Sequence, residues 1–393
     1  MKIAISGAGI AGATLAFWLL HAGHEPLLIE RAPALRRGGY IMDFWGVGYS
    51  VAERMGILPA VRRAGYQVNE VRFLADDGRK VGGFAVDALR DLTGGRMTSV
   101  ARGALAAEIY RSLDGRVESI FDDQISEINE HLNGVQIVLE SGKKRDVEIV
   151  VGADGLHSRV RELVFGAEDR FEKDLRYRFA AFETAGYETR DENAYVIHAA
   201  TSRQTARFAL RRDRTLFLFV FRSELLKGAE PRGPAETHAL LKTTFGDAGW
   251  ESGRILAAME TADEFYFDRV SQIRMPYWHR GRVALIGDAG MAVSFLAGEG
   301  AGLAMTEAYV LAGEISRASG DHAKAFAAYE ARLRPFIEGK QRTAETFASS
   351  FVPQTKFGIW LRNQATKLMV MPGAANFMLG KSLRDDFALP DYG

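Results

Sequence analysis

The chain contains 393 residues with 50 acidic and 50 basic side chains, so its formal net charge is zero. This length is too great for one small core and predicts two or three lobes. The balanced and interspersed charges argue against a nucleic-acid partner. The sequence has no cysteine, which excludes disulfides, thiolate metal sites, iron–sulfur clusters and redox-active dithiols.

Neither a membrane span nor a metal site is expected. The longest apolar stretch, residues 216–221, is far too short to cross a bilayer. A strand is predicted from Lys2 onwards, which leaves no room for a signal peptide. The only close histidine pair, His21 and His24, falls at the expected end of a helix and is more typical of a turn than of a metal site. We therefore expect a cytoplasmic protein without a resident metal.

The first thirty or so residues predict one parallel βαβ unit. Residues 2–6 form a short apolar run, residues 7–12 form a glycine-rich turn, and an alanine- and leucine-rich segment follows as far as Ala22. A second apolar run at residues 27–29 stops at Glu30. Strand, turn, helix and strand in this order are typical of a dinucleotide-binding unit.

Three glycines of the turn occupy positions that suit a pyrophosphate. Gly7 permits the tight turn, Gly9 has no side chain to block a phosphate at the helix N-terminus, and Gly12 allows close helix–strand packing. Glu30 can accept hydrogen bonds from a ribose, and its charge disfavours a 2′-phosphate there. The motif predicts a dinucleotide fold without distinguishing NAD from FAD.

The pattern of predicted secondary structure then changes twice. A loop is expected at residues 36–43, and a change to longer strand-like runs between residues 170 and 267 predicts a mostly antiparallel sheet. Residues 282–286 return to the short apolar style, and the chain beyond residue 322 is largely helical, with breaks near Pro353 and Pro372.

The predicted fold is therefore α/β, with a Rossmann-like lobe that is interrupted by a mostly antiparallel sheet and followed by helices. We expect residues 1–169 to form the first part of the nucleotide-binding lobe and residues 170–270 the substrate-lobe sheet. Residues 271–320 would return to the first lobe, and residues 321–393 would form a C-terminal helical region.

A second motif follows the strand-like residues 148–151. Asp154 and Gly155 can form a tight turn, and Ser158 and Arg161 lie one helical turn apart beyond it. Taken alone, the pattern fits a binding motif and an N-capped helix start equally well.

A third motif combines Gly287 and Asp288 with the glycine-rich helix start at Gly298, Gly300 and Ala301. An aspartate after a strand can hold a sugar-alcohol hydroxyl. A glycine-rich helix start offers backbone N–H groups to a developing anion. A flavin needs both, because its ribityl chain must be held and negative charge gathers on its pyrimidine ring when it is reduced.

In this order, the three motifs resemble those of the class A flavoprotein monooxygenases. That group includes para-hydroxybenzoate hydroxylase and the tetracycline-inactivating flavin monooxygenases. The resemblance spans about residues 1–320 and implies an FAD-dependent oxidoreductase. Such an enzyme would use NADPH or NADH and O2 to hydroxylate an aromatic or polycyclic small molecule through a flavin C4a-hydroperoxide. Because the sequence has no second glycine-rich nucleotide motif, the nicotinamide would approach the flavin transiently. The scheme requires no catalytic side chain.

The resemblance also implies cofactor contacts, residue by residue along the FAD. At the adenosine end these are Gly7, Gly9 and Gly12 at the pyrophosphate, Glu30 at the ribose and Arg31 beside the adenine. Further along they are Arg102 near the ribityl–pyrophosphate region, Asp154 in a motif linked to FAD and the nicotinamide, and Asp288, after Gly287, at the ribityl and phosphate portion. Near the isoalloxazine they are Gly298, Gly300, Ala301 and, from the loop at residues 36–43, Asp43.

The third motif departs from the family pattern. Met291 stands where the family often has histidine, and Ser294 and Phe295 stand where it often has proline. Asparagine, frequent in the family near Gly302, is also absent. Proline would fix the backbone φ beside the flavin. We therefore expect flavin binding to survive and the positioning of the flavin ring to differ.

Substrate contacts are predicted less sharply. Some phenylalanines of the inserted sheet are candidates for a pocket lining, although core positions are favoured for most of them: Phe179, Phe182, Phe208, Phe217, Phe219 and Phe221. Arg207, Arg211 and Arg212 could meet an acidic substrate or lie at a solvated sheet edge. His198 could deprotonate a phenol, but a structural role is commoner for a lone strand histidine.

Two other functions fit the same motifs. One is a non-hydroxylating FAD-dependent oxidoreductase on the same fold, which the altered residues 291–295 favour. The other is a non-catalytic flavin-binding sensor whose apolar residues 357–379 bind a partner helix or a membrane surface. Packing of that segment against the FAD-binding lobe is the simpler expectation. The motifs do not distinguish NADH from NADPH, and they carry no signal for the oligomeric state.

Overall fold

The order of strands and helices is seen in a computed structural model, which describes residues 1–35, 40–262, 265–369 and 385–392. The first strands are β1 (Lys2–Ser6), β2 (Glu25–Glu30), β3 (Ile41–Trp45), β4 (Glu70–Leu74), β5 (Lys80–Ala85), β6 (Met97–Ala101), β7 (Glu118–Phe121), β8 (Ile125–His131) and β9 (Gly134–Leu139). They continue with β10 (Lys144–Val147), β11 (Ile149–Gly152), β12 (Glu172–Ala185), β13 (Ala194–Ala200), β14 (Arg203–Ala209), β15 (Arg214–Arg222), β16 (Phe265–Ile273), β17 (His279–Arg280) and β18 (Val283–Leu285).

The α-helices follow the same chain order and vary widely in length. They are α1 (Ile10–His21), α2 (Gly46–Arg54), α3 (Leu58–Ala64), α4 (Asp87–Leu92), α5 (Arg102–Arg111), α6 (Arg159–Phe165), α7 (Pro234–Phe245), α8 (Ser252–Met259), α9 (Asp288–Met291), α10 (Gly300–Arg317), α11 (His322–Phe351) and α12 (Lys356–Leu368).

A six-stranded sheet forms the nucleotide-binding lobe, with strand order β17-β18-β11-β1-β2-β7. Its neighbouring strands are parallel except at the β17–β18 edge. Strand β18 comes from late in the chain and pairs with β11, so the lobe is built from two separate stretches of sequence, as predicted. Helix α1 packs against α10, and all its side chains from Ile10 to Phe17 are buried, which accounts for its small, apolar composition.

A seven-stranded sheet forms the substrate lobe, with strand order β16-β12-β15-β14-β13-β4-β5. Its strand pairs are antiparallel except β13–β4, which confirms the predicted mostly antiparallel sheet. Strands β4 and β5 lie within residues 1–169, so the N-terminal part of the chain supplies one edge of this sheet. Small antiparallel sheets of order β10-β9-β8 and β3-β6 complete the topology of the described residues.

One face of the seven-stranded sheet is covered by α7 and α8. Alternation along β15 places Phe217, Phe219 and Phe221 on that face, and all three rings are fully buried. They form a core with Phe182 of β12 and Phe245 of α7. This arrangement confirms that most of the sheet phenylalanines are core residues.

Helix α11 is 30 residues long and contacts both lobes. Its first half carries Phe326 and Leu333 into the core of the six-stranded sheet. Near its end, Ala348 packs with Tyr177 and Val220 of the seven-stranded sheet. Pro335 lies inside the helix.

Helix α12 packs against β5, where two glycines make room for it. A Cβ added at Gly82 would lie 2.9 Å from the Asn363 carbonyl oxygen, and the Gly83 N–H donates to Thr366 Oγ1 at 3.1 Å. The expectation that this segment packs against the FAD-binding lobe is therefore wrong for residues 356–368, which pack on the seven-stranded sheet instead. The space that Gly82 and Gly83 leave on β5 has no periodic pattern in the sequence from which this packing could be predicted. Residues 370–384, which include the break expected at Pro372, lie outside the described residues.

The prediction of a loop at residues 36–43 is wrong for residues 41–43, which belong to β3. Asp43 pairs opposite Ser99 of β6 there. The two-stranded pairing involves residues far apart in sequence, so local glycine content concealed it. Residues 36–39 lie outside the described residues. Across the described ranges, no helix combines the length and the apolarity needed to cross a membrane.

Candidate active site

The turn between β1 and α1 has the geometry that the glycine motif predicts. Gly7 has a φ of +103°, and a Cβ there would lie 2.5 Å from the Ala153 carbonyl oxygen. A Cβ at Gly12 would lie 1.9 Å from the Gly7 carbonyl oxygen. At Gly9, by contrast, nothing lies within 4 Å of an added Cβ. Gly7 and Gly12 are therefore required by the fold, whereas Gly9 faces open space at the N-terminus of α1.

Glu30 lies at the end of β2 and holds this turn. Its carboxylate accepts hydrogen bonds from the Ala8 N–H at 2.9 Å and the Ala32 N–H at 3.0 Å. Arg31 is exposed beside it and lines an open cavity of about 420 Å³, together with Ala32, Asp122, Asp123, Gln124 and Glu140. The cavity lies next to the end of β2. An adenosine would extend into this region from a pyrophosphate bound at the N-terminus of α1.

Asp154 uses its carboxylate within its own loop. The carboxylate accepts hydrogen bonds from the N–H groups of Arg159 and Val160, at 2.9 and 3.1 Å, and from the hydroxyls of Ser158 and Ser6, at 2.5 and 3.4 Å. Burial raises the pKa of Asp154, while the bond from Ser158 opposes this effect. The second motif thus includes an N-capped helix start, since Ser158 Oγ also accepts the Arg161 N–H at 3.0 Å.

Arg161 joins the second motif to the third, a link that the sequence did not reveal. Its side chain is fully buried and donates to the Ala289 carbonyl oxygen at 2.8 Å, directly after Asp288. It also donates to the Leu156 carbonyl oxygen and to Glu168, both at 2.6 Å. A buried guanidinium with three acceptors fixes the two motifs relative to each other.

Asp288 is the first residue of α9, and its side chain is surrounded by protein although solvent reaches it, so it lines a recess that we call the cleft. Its side chain is reached by solvent and has no hydrogen-bond partner among the described residues. Surrounding protein nevertheless raises its pKa by removing bulk water, and the positive charge of Arg102 opposes that rise. The Arg102 charge also acts on Tyr40 and Tyr266, so Arg102 is near these two tyrosines as well as near Asp288. Arg102 and Asp288, predicted separately, are therefore close enough for the charge of one to act on the other.

Glu307 lies behind this loop and was not predicted. It is 1% exposed, and its carboxyl accepts the Gly287 N–H at 2.5 Å. Burial raises its pKa to about 8, so the group is largely protonated at neutral pH. An acid within the otherwise apolar run at residues 303–313 was the available signal.

The N-terminus of α10 faces the same cleft. Helix α10 starts at Gly300 with no side-chain cap on its first N–H groups, and a Cβ at Gly300 would lie 4.0 Å from Asp288 Oδ1. Gly298 has a φ of +69°, and Ala301 follows in the first turn. These residues leave backbone donors available to an anionic group, as the third motif predicts.

The departures from the family pattern have defined structural roles. Ser294 has a φ of +140°, and its hydroxyl accepts the Leu296 N–H at 3.1 Å. Phe295 stacks on Phe179 of β12, with 4.1 Å between ring centroids and 8° between planes. Met291 is buried beside the Tyr329 hydroxyl. The stack therefore connects the loop at residues 294–295 to the substrate-lobe sheet. A proline at position 295 has no aromatic ring and could not form this stack.

Asp43 lies on β3, where it accepts hydrogen bonds from the Ser99 hydroxyl at 2.5 Å and the Tyr195 hydroxyl at 3.3 Å. Burial raises its pKa, and the bond from Ser99 opposes the rise. With Trp45, it lines a small cavity that also borders Glu299 and Gly302. Asp43 is thus near the α10 N-terminus.

An aromatic wall closes the cleft on the substrate side. Tyr40 meets Phe295 edge-on at 4.7 Å, and Tyr266 of β16 lies 5.3 Å from Phe179. Tyr266 is 42% exposed, so part of the residue is open to solvent. The Tyr266 hydroxyl donates to Asp268 at 2.7 Å. We refer to Tyr40, Phe179, Tyr266 and Phe295 as the aromatic wall.

A polar chain supports this wall from behind. Asp268 accepts the Tyr266 hydroxyl and also pairs with His157 Nε2 at 3.1 Å, while His157 Nδ1 lies 2.9 Å from Glu168. The hydrogen bond with Asp268, followed by that with Glu168, raises the pKa of His157 to about 10. A cationic His157 therefore bridges the two lobes.

Other sequence candidates have structural roles. Arg207 is 3% exposed and pairs with Asp191 and with Glu251, the latter at 2.9 Å. His198 is 1% exposed and bonded to Asp76 at 2.8 Å. Arg211 donates to the carbonyl oxygens of Ala64 and Gly65, the former at 2.7 Å. No partner is described for Arg212, which stays a surface residue with a φ of +58°.

Comparison with known proteins identifies the family. Residues 1–343 match the FAD binding domain family. The chain belongs to this family. A flavin-dependent monooxygenase from an unknown prokaryotic organism is 32% identical over 358 residues, which cover 89% of this chain and 90% of that protein. The crystal structure of the tetracycline destructase Tet(51) has a TM-score of 0.85 at 29% identity, with 100% of this chain and 99% of that one covered.

A more distant structure shares the same fold. HpxO of Klebsiella pneumoniae, solved with FAD and uric acid, has a TM-score of 0.78 at 21% identity and covers 98% of this chain and 95% of its own. The resemblance drawn from the three motifs is thus confirmed: the protein is an FAD-dependent monooxygenase of the class A type, and hence an oxidoreductase.

Proposed function

We propose that this class A monooxygenase uses NAD(P)H and O2 to hydroxylate an aromatic or polycyclic small molecule in the cleft between its two sheets. The observation that carries the proposal is the stack of Phe295, seven residues after Asp288, on Phe179 of the substrate-lobe sheet, with 4.1 Å between the ring centroids. One cleft therefore joins the polar floor of a cofactor site to an apolar surface of the substrate lobe.

The protein groups fit an FAD lying along the first lobe. The pyrophosphate would lie over Gly9 at the N-terminus of α1, with the ribose at Glu30 and the adenine in the cavity beside Arg31. The ribityl chain would lie along Asp288 and Arg102. The bound flavin supplies the electron transfer and the activation of oxygen at its C4a carbon.

The α10 N-terminus would serve the pyrimidine end of the flavin. Its uncapped N–H groups, from Gly300 and Ala301 onwards, stabilise negative charge without any need to move during reduction. The carboxyl of Glu307 contributes by being neutral, since a charged group behind Gly287 would oppose an anionic flavin. Asp43 and Asp154 would act from the margin of this site, Asp43 through its hydrogen bonds to Ser99 and Tyr195 and Asp154 through the loop that it holds.

The aromatic wall would bind the substrate. Its rings offer apolar faces and edges that suit a planar ring system, and they exclude water from the reacting region. The Tyr266 hydroxyl donates its hydrogen bond to Asp268, which leaves its oxygen lone pairs free to accept a hydrogen bond from a substrate hydroxyl. This arrangement favours a phenol or an enol over a simple hydrocarbon.

The experiment is a comparison of turnover with and without substrate. Purified protein would be tested for a bound-flavin spectrum, for NADH and NADPH oxidation, and for incorporation of labelled oxygen from ¹⁸O2 with a panel of phenols and polycyclic ketones. We expect slow oxidation alone, faster oxidation with a substrate, and labelled product. Substrate-stimulated oxidation of NAD(P)H without label in the product would favour the non-hydroxylating alternative. Tyr266→Phe should raise KM more for hydroxylated than for unsubstituted rings.

A further inference from the structure

The end of the chain folds back onto the flavin-side lobe. Residues 385–392, here called the C-terminal strap, follow the surface of α10 and α11. Phe387 stacks on Phe336 of α11 at 5.0 Å, and the Tyr392 ring covers Gly313 of α10, where an added Cβ would lie 2.3 Å from the ring. The Pro390 carbonyl oxygen accepts the Tyr309 hydroxyl at 2.8 Å. Gly313 is therefore needed for the strap to lie flat.

The first described residue of the strap, Asp385, reaches into the lobe. Its carboxylate accepts the Val47 N–H at 2.6 Å, at the N-terminus of α2, and pairs with Lys340 Nζ at 2.6 Å. A Cβ at Gly46 would lie 2.1 Å from Asp385 Oδ2, so only glycine leaves room for this approach. Asp385 therefore caps α2 and binds an α11 side chain at once.

Lys340 carries this contact to the glycine-rich loop of the third motif. Its ammonium lies 2.9 Å from a Glu299 carboxylate oxygen, and Glu299 stands between Gly298 and Gly300. The side chains of Glu299, Lys340 and Asp385 are 13%, 10% and 13% exposed. One ammonium is thus shared by two carboxylates in a mostly dry environment, where ion pairs are sensitive to the loss of either partner.

Two helix starts meet at the same point. A Cβ at Gly48 of α2 would lie 2.2 Å from the Gly302 Cα of α10, so the two backbones are in direct contact. Asp385 holds the start of α2, and through Lys340 it holds Glu299 at the start of α10. The strap, α2 and α10 therefore form one unit around residues 298–302.

We propose that Asp385 is a positioning residue of the cofactor site: through Lys340 and Glu299, the C-terminal strap fixes the loop at residues 298–301 against the flavin ring. The inference rests on the proposed placement of the flavin at the α10 N-terminus. Without Asp385, Lys340 has one carboxylate fewer and the Val47 N–H loses its acceptor. The backbone donors of Gly300 and Ala301 would then be held less rigidly, and a loosely held donor stabilises charge less well.

The test compares Asp385→Asn with Asp386→Asn in the full-length chain. Asp386 is exposed, adjacent and chemically identical, so its variant is the matched control. Apoprotein would be titrated with FAD, and the visible spectrum and midpoint potential of the bound flavin would be measured. For Asp385→Asn we expect FAD affinity to fall by about tenfold or more, with a more negative midpoint potential, consistent with a lost charge-assisted hydrogen bond. Asp386→Asn should stay within about twofold of the unaltered chain.

Lys340→Gln provides the second variant, because it leaves the strap's own contacts on α10 in place. It should reproduce the shift in potential even if Asp385→Asn fails to fold. Unchanged affinity and potential in these variants would overturn the inference. Lower apoprotein stability with an unchanged potential would also overturn it, since a merely structural strap predicts that result. If the unaltered chain binds no FAD, the proposed function itself fails, which is a separate outcome.

Discussion

The two sheets of this protein carry function in different ways. In the six-stranded sheet, the groups that we propose to face the cofactor are backbone atoms, exposed by glycines that are close in sequence, such as Gly7, Gly9 and Gly12. In the seven-stranded sheet, the groups that face the cleft are side chains, such as Phe179 and Tyr266, which come from strands that are far apart in sequence. The first kind of site depends on one short sequence motif, whereas the second depends on the packing of distant strands. Substitutions should therefore have different consequences in the two regions.

The largest effect on stability is expected in the substrate sheet. Phe219 is fully buried and lies 4.4 Å from Phe245 between their ring centroids. Phe219→Ala should lower the free energy of unfolding by about 3–5 kcal/mol, because it leaves a cavity in the core. Folded protein should still bind FAD with unchanged affinity. Urea unfolding and FAD titration would measure the two quantities, with the exposed Leu132→Ala as control. A large loss of FAD affinity in folded Phe219→Ala would show that the core of the substrate-lobe sheet also determines cofactor binding, contrary to this prediction.

Two glycines of one turn should separate folding from binding. Gly12→Ala should destabilise the apoprotein by about 3 kcal/mol or more, because the added Cβ meets the Gly7 carbonyl oxygen. Gly9→Ala should leave apoprotein stability within about 0.5–1 kcal/mol, as its Cβ meets open space, but weaken FAD binding on the order of 100-fold. Thermal unfolding of apoprotein and FAD titration distinguish these effects. Unchanged FAD affinity in Gly9→Ala would contradict the assignment of Gly9 to the cofactor.

A buried acid offers a smaller and pH-dependent effect. Glu307→Leu should cost about 1–3 kcal/mol, because the Gly287 N–H loses its acceptor, whereas Glu307→Gln keeps an acceptor. Burial raises the pKa of Glu307 from an ordinary 4.5 to about 8. The unfolded chain therefore ionises first, and the unaltered protein loses stability between pH 4.5 and 8. The stability of Glu307→Gln relative to the unaltered protein should accordingly rise across this window. A flat difference between pH 5 and 9 would show that Glu307 is already ionised in the folded protein.

The extent to which the sequence predicted this structure follows the same division. Gly7, Gly9, Gly12, Glu30 and Asp288 could be placed because each follows a strand of recognisable pattern, and a parallel sheet brings the ends of its strands to one edge. The discontinuous first lobe was predictable for the same reason.

Contacts formed between distant segments were not predictable. The stack of Phe179 on Phe295 depends on how the two sheets approach each other, which no local spacing encodes. The pairing of β3 with β6 and the packing of α12 on β5 were missed for this reason, and so was Asp385, which lies some 340 residues from the helix that it caps.

The smallest effect is expected at the bridge between the lobes. Hydrogen bonds to Asp268 and Glu168 raise the pKa of His157 from 6.5 to about 10, so its stabilisation is complete below pH 6.5 and is lost as the pH rises to 10. Because the side chain is 45% exposed, His157→Gln should cost less than about 1 kcal/mol near pH 6 and almost nothing near pH 10. Unfolding midpoints at both pH values would test this, with exposed His131→Gln as control. A cost that grows with pH would reverse the sign of the argument.

Helix α11 has a consequence for how a substrate enters. At 1.5 Å per residue, its 30 residues span about 45 Å, and it is packed into both lobes, so neither lobe can rotate without loading the helix. Pro335 has no N–H for the fourth preceding carbonyl, that of Ala331, which makes this the point of least bending resistance. Lys340, five residues later, lies beyond that hinge. If the substrate lobe moves when a substrate enters, bending of α11 at Pro335 would therefore displace Lys340 and, with it, the ion pair to Glu299.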